Sequence, residues 1–198
     1  AGVSAAAASF GANGVTAGTI AINGALGSQN VAIAANDTAK AIADNINLKE
    51  AGTGVKATAR TEAQLGFGAT GSYTLDIRSD NGTKQSVSFN VSATNTSDGL
   101  SNAVSAINEQ ASKTGVTASL NDTSTGIILT NATGNDIGVS TKGGTLNAGA
   151  VTVTKMQADG TTFGGGDTLA ATTTADDSLV SGYVVLDSDK SFSMSEVT

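Results

Sequence analysis

The sequence predicts an α+β fold: two duplicated β-hairpin–helix–strand modules on small antiparallel sheets, then a β-rich C-terminal segment, in an elongated molecule. Three observations predict it. Paired stretches alternate apolar with polar residues across glycine-bearing turns, the period-two signature of hairpins. Each pair is followed by apolar residues at i, i+3, i+4 and i+7, the stripe of an amphipathic helix. The second helix also repeats the phrase of the first 61 positions later: DTAKAIADNIN (37–47) and DGLSNAVSAIN (98–108), each running into Gly-Val-x-Ala at Gly54 and Gly115.

The elements follow in order. TIAIN (19–23) and NVAIA (30–34) form the first hairpin, separated by Gly24-Ala25-Leu26-Gly27. SYTLDIR (72–78) and QSVSFNV (85–91) form the second, across Ser79-Asp80-Asn81-Gly82. Asn81-Gly82 suits a tight turn because both residues tolerate positive φ. The helix stripes are Ala39, Ile42, Ala43 and Ile46, then Leu100, Ala103, Val104 and Ile107. Asn36 and Ser97 stand at the expected N-caps, with Asp37 and Asp98 just inside, where the helix dipole favours an acid. A polar connector follows each helix, then a strand at 55–60 and at 116–120, with 126–130 as a hairpin return. Beyond Asn131 the pattern is β-like and irregular. VTVT (151–154) and GYVVL (182–186) read as strands, 164–167 as a loop, and 167–180 as either a short helix or an extended Thr-rich strand.

This divides the chain into a first module (1–66), a second (67–140) and a β-rich segment (141–198) returning to pack on the first, with the two chain ends close together. The period exceeds that of common solenoid repeats. Whether the second module is nested within the first or follows it in line stays open.

Composition narrows the function. Hydrophobic content is 39%, but aromatics are only 4% and charged residues 14%; Gly, Ser, Thr, Asn and Ala fill the rest, as suits pleated surfaces and turns. A net charge of −7 argues against a binder of nucleic acid or of acidic membranes, which needs clustered Lys and Arg. No apolar run approaches the length of a spanning helix. The opening AGVSAAAASF carries no signal-peptide pattern and no Met, which points to an excised or processed piece. With no Cys there are no disulfides or thiolate metal sites, and with no His the commonest general base and metal ligand are missing. The expectation is a non-enzyme with no catalytic residues, cofactor or metal.

Each motif with a chemical reading has a plainer one. Gly164-Gly165-Gly166 lacks both the Gly-Lys-Ser/Thr of a phosphate loop and the GxGxxG of a dinucleotide loop, and reads as a turn. Asp187-Ser188-Asp189-Lys190-Ser191 imitates the start of a calcium loop but has Phe192 where Gly is needed and Thr198 where Glu is needed. Asp176-Asp177 reads as a solvated acidic pair, with a surface cation as the sharper alternative. Asn-x-Ser/Thr triplets begin at Asn36, Asn81, Asn90, Asn95, Asn121 and Asn131, as the composition alone produces. Tyr73, Tyr183 and the phenylalanines read as packing residues, with Phe10, Phe67 and Phe163 plugging loops and a carbohydrate-stacking site as the sharper alternative.

The string GTIAINGALGSQNVAIAANDTAKAIADNIN…GVKATA resembles the IN motif of bacterial flagellins and related flagellar axial proteins, named for the Ile-Asn that ends its helix: Ile46-Asn47 here, and again Ile107-Asn108. The likeness covers 18–60, and 71–120 with more drift. It implies an outer, surface-exposed and antigenically variable region of a filament subunit: extracellular, structural and serving motility. The family's long helical ends, which build the filament core, are missing, so this piece is expected to be monomeric. Its implied partners are other flagellin subunits, met through that core, and host antibodies. Outer regions of the family often carry O-linked glycans; Thr161, Thr162, Thr172, Thr173 and Thr174 are the candidates. The competing readings are a flagellar cap or hook-associated domain with a glycan-binding role, and an unrelated β-rich adhesin module.

Overall fold

The computed structural model describes residues 3–5, as backbone, and 11–197. Phe10 and Thr198 lie outside the described residues. The first stretch runs β1 (Val3–Ala5), β2 (Gly18–Gly24), β3 (Gly27–Ile33), α1 (Ala39–Asn47), α2 (Glu50–Thr53) and β4 (Lys56–Phe67). The second runs β5 (Gly71–Arg78), β6 (Gln85–Val91), α3 (Ser97–Glu109), α4 (Ala111–Thr114), β7 (Thr117–Leu120) and β8 (Ile127–Asn131). Short strands complete the chain: β9 (Ile137–Thr141), β10 (Val151–Lys155), β11 (Asp167–Leu169), β12 (Asp177–Val180), β13 (Tyr183–Asp187) and β14 (Ser193–Glu196).

Among the described residues every strand pairing is antiparallel, and the strands form three sheets. One has the order β1-β12-β9-β5-β6; the second β11-β10-β4-β8-β7, with β13 added beside β4; the third β14-β2-β3. The fold is β-rich, with few helices on open sheets. β4 is its spine. Its first half pairs β13, with Ala57 opposite Leu186, and its second half lies between β8 and β10. Everything from β5 to β12 is therefore inserted between two strands that pair with each other. The first strand joins the five-stranded sheet at β12 and the last joins the three-stranded sheet at β2, so the chain ends sit on different sheets.

The core falls into two clusters. The large one gathers α3 and β4 to β12 around fully buried Leu65, Leu75, Ile107, Leu129 and Val139. Phe67, Tyr73 and Phe89 form an aromatic triad within it, with ring centroids 5.0 to 5.9 Å apart. The small one holds Ile22, Val31, Ala43, Ile46, Val55 and Ala57 beneath α1. Both helix stripes face inward as their spacing predicts: Ala39, Ala43 and Ile46 on α1, and Leu100, Ala103 and Ile107 on α3, are buried. Each fully buried Leu, Ile or Val contributes about 1.5–3 kcal/mol, so the larger cluster holds most of the stability.

Several local expectations are corrected. The N-caps are Thr38 and Thr96, not Asn36 and Ser97; their extended backbones let each hydroxyl accept from Ala41 N (3.2 Å) and Gly99 N (3.1 Å). Asn36 instead sits at φ 64°, and Asp37 Oδ2 accepts from Ala34 N, away from the helix. Asn81-Gly82 makes no positive-φ turn; the loop is longer, and Asn81 Oδ1 accepts from Ser79 N. The polar connectors after the long helices are the short helices α2 and α4. The segment 167–180 is extended: β11 and β12 joined by bends, with no helix.

Candidate functional site: two asparagine clamps

The polar groups of the two Ile-Asn phrases are used identically. Asn47 Oδ1 accepts from Ala57 N (2.7 Å), and its Nδ2 donates to Ala57 O (2.9 Å). Asn108 does the same with Ala118, at 2.8 and 2.9 Å. The amide at the helix end thus mimics a strand neighbour and holds the following strand by both backbone groups. Asn suits this because one planar group carries a donor and an acceptor side by side.

The chain between clamp and strand is also fixed twice over. Thr53 Oγ1 donates to Lys49 O and accepts from Val55 N; Thr114 Oγ1 donates to Gln110 O and accepts from Val116 N. Gly54 (φ 73°) and Gly115 (φ 71°) follow in the left-handed conformation that ends each short helix, where a side chain would be strained. Val55 and Val116 are then fully buried. This accounts for Gly-Val-x-Ala: Gly turns the chain, Val enters the core, x faces solvent, and Ala presents its backbone to the Asn. Each hairpin tip completes its unit, Leu26 N donating to Thr53 O (3.4 Å) and Asp80 N to Thr114 O (2.9 Å).

The turn at 131–136 joins the units. Buried Asn131 donates to Ser79 Oγ, Asp80 Oδ1 and Gly115 O, while its Oδ1 accepts from the backbone of Thr133, Gly134 and Asn135. On the other side, Lys40 N at the start of α1 donates to Gly134 O (3.0 Å). Asn13, buried, ties the same place together by donating to Asn36 O, Asp37 O and Asp136 Oδ2. Desolvation pushes the Asp136 carboxyl up to about 6, against the opposing pull of Asn13, Lys155 and Arg78. Burial likewise lowers Lys155, whose ammonium donates to Ser181 Oγ and Gly182 O.

The candidate residues named from the sequence scatter across the fold. Asp176-Asp177 is no solvated pair: Asp177 is fully buried and bridged by Lys84 (3.1 Å), while Asp176 Oδ2 accepts from Ala170 N. Phe67 and Tyr73 are core residues, and Tyr73 Oη donates to Ala69 O. Tyr183 is half-buried, its hydroxyl donating to Glu62 and raised to about 12, mainly by desolvation. Phe163 is exposed. Thr161, Thr162, Thr172, Thr173 and Thr174 are all exposed, on loops at two places. Thr161 Oγ1 donates to Asp159 and Thr172 Oγ1 to Thr174 O. Among the described residues no group of three Asp or Glu side chains is placed to hold a metal ion. The amide clamps and the Thr53 and Thr114 bridges escaped the sequence reading, although the 61-position echo of Asn47, Thr53 and Gly54 marks them.

What the clamps define is a class: a structural module in which helix and strand are pinned by one repeated phrase, with the polar side chains spent on the backbone. The chain belongs to the flagellin hook IN motif family, whose pattern matches residues 19–71 and 74–133, together more than half of the chain. It is also similar to the B-type flagellin of Pseudomonas aeruginosa, 32% identical over 170 residues that cover 82% of this chain. The chain spans 32% of that relative's length.

Proposed function

We propose that the chain is the outer, surface-exposed region of a bacterial flagellar filament subunit: extracellular, antigenically variable and serving motility. The observation that carries this reading is the pair of family matches, one over each clamped unit, on a chain that resembles part of a flagellin. The family is one of structural proteins, and the reading assigns no catalysis. Its physical task is to hold shape under shear without sticking to neighbours, which suits a low-aromatic, acidic surface. Assembly with other subunits runs through helical segments outside this chain, and antibodies meet this part of the filament.

On this reading the units at 1–66 and 67–140 are two copies of one ancestral hairpin–helix–strand module, supported by the paired clamps, and 141–198 closes the first copy through β13 and β14. Thr173 and Thr174, exposed and with side-chain hydroxyls that make no hydrogen bond among the described residues, are the preferred O-glycan acceptors; Thr162, Thr161 and Thr172 follow. The match to a hook IN motif favours one second reading, a hook-associated or cap domain with an adhesive role. Gold-labelled antibodies against the chain separate the two. Labelling along whole filaments is expected; labelling only at the tip or the hook junction overturns the filament reading.

A further inference from the structure

We propose that the free edge of β3 is a self-association surface, on which β3 of a second copy pairs antiparallel. β3 pairs β2 through an unbroken register that starts beside the two-residue turn Ala25-Leu26, with Gly24 opposite Gly27. From such a turn the hydrogen-bonded pairs alternate, so Gln29, Val31 and Ile33 bond to β2, while Ser28, Asn30 and Ala32 turn their backbone groups outward. Among the described residues one of those outward groups has a partner: Ala32 O, reached by Asn45 Nδ2 at 3.5 Å. The strand itself lacks two of the usual guards, since GSQNVAI has no charge and no proline.

Its flanks differ from those of the corresponding strand. Leu26, at the hairpin tip before β3, is 69% exposed, and Leu48, in the groove beside β3, is 79% exposed. The residue in the equivalent tip contact of the second unit is Asp80, and the residue 61 positions after Leu48 is Glu109. The two places are thus acidic beside β6 and apolar beside β3. On a chain of net charge −7, β3 itself is an uncharged line, with Lys49 beside Leu48 in the same groove. The edge is its own complement. With a two-fold axis through Asn30, Ser28 faces Ala32 of the second copy and Asn30 faces Asn30, joining two three-stranded sheets into one.

One strand pair with its leucine flanks buries far less than the roughly 1,600 Å² of a standard interface. Dilute chains therefore stay apart, and copies held side by side pair through high effective concentration; that side-by-side holding rests on the filament reading. The pairing itself is tested without a filament. The chain has no cysteine, so Asn30→Cys supplies a single thiol. Opposed Cα atoms of a hydrogen-bonded pair lie about 5.5 Å apart, within disulfide reach. Ser88→Cys, exposed on edge strand β6, is the control. In concentrated solution under mild oxidation, Asn30→Cys is expected to form covalent dimers about tenfold faster than Ser88→Cys, as pairing raises the local thiol concentration. Adding Ala32→Pro, which removes an outward N–H, or Leu48→Glu, should each bring the rate down to the control while circular dichroism stays unchanged. Equal rates for the two thiols, or a fast rate that survives Leu48→Glu in a folded chain, overturn the proposal. Neither result bears on antibody labelling of filaments, so the two readings fail separately.

Discussion

The units around α1 and α3 share one wiring and differ in what surrounds it. Asn47 and Asn108, Thr53 and Thr114, and Gly54 and Gly115 make the same bonds at nearly the same distances. Yet α3 seals a core that includes the aromatic triad, whereas α1 covers a small cluster beside a three-stranded sheet. The strand after α3 meets its partner in the next hairpin, β8; the strand after α1 waits for β13, more than a hundred residues on. The clamp is thus a local device that works in either setting. Stability comes from the packing around it.

Mutations can break or sharpen this contrast. Truncating buried stripe residues should have the largest effect: Leu100→Ala or Ile107→Ala should cost about 3–5 kcal/mol in urea unfolding, and Ile46→Ala about 2–3, because a small cluster relaxes more readily around a cavity. Equal losses would mean that the small cluster relaxes around a cavity no more readily than the large one. Next come the clamps. Asn47→Ala and Asn108→Ala each leave a backbone N–H and C=O without partners, for about 1–3 kcal/mol each. Similar losses support equivalent clamps; a loss at one site alone breaks the comparison. Gly54→Ala and Gly115→Ala should each cost about 1 kcal/mol or more from left-handed strain. The second should be worse, because its Cβ would run into the Asp80 carboxylate while the first meets only Leu26.

A pH-dependent test lies at the joint between the units. Asp136 is raised by desolvation to about 6, above its ordinary value of 3.8. A carboxyl raised in the folded state contributes stability that is fully present below the unfolded pKa and is lost as pH rises through the folded one. Asp136→Asn should therefore remove a decline in stability between about pH 4 and 6 and make the chain more stable at pH 7. Thermal unfolding across that range checks it, and a variant less stable at pH 7 would show that the carboxylate is needed at the joint.

Sequence suffices for whatever is decided within some ten residues. Hairpin β2–β3, hairpin β5–β6, both helix stripes and the Gly-Val-x-Ala after each helix follow from periodicity and backbone preference, and the 61-position echo marks the residues that clamp helix to strand. It placed the caps one or two residues off because Asn, Ser and Thr all cap well, and only the entering backbone chooses among them. It left Asp177 as a solvated acid because nothing nearby in the chain marks its partner, Lys84, which comes from a distant loop. Three-dimensional packing was needed to establish that β4 closes with β13, that β2 gains β14, and that β5 to β12 lie between the paired strands β4 and β13. The cause is degeneracy. Short strands of alternating Val, Thr and Ser carry almost the same backbone and side-chain code, so any of them could pair with any other. Which of them do is settled by the one arrangement that buries Leu65, Leu129 and Ile107 together.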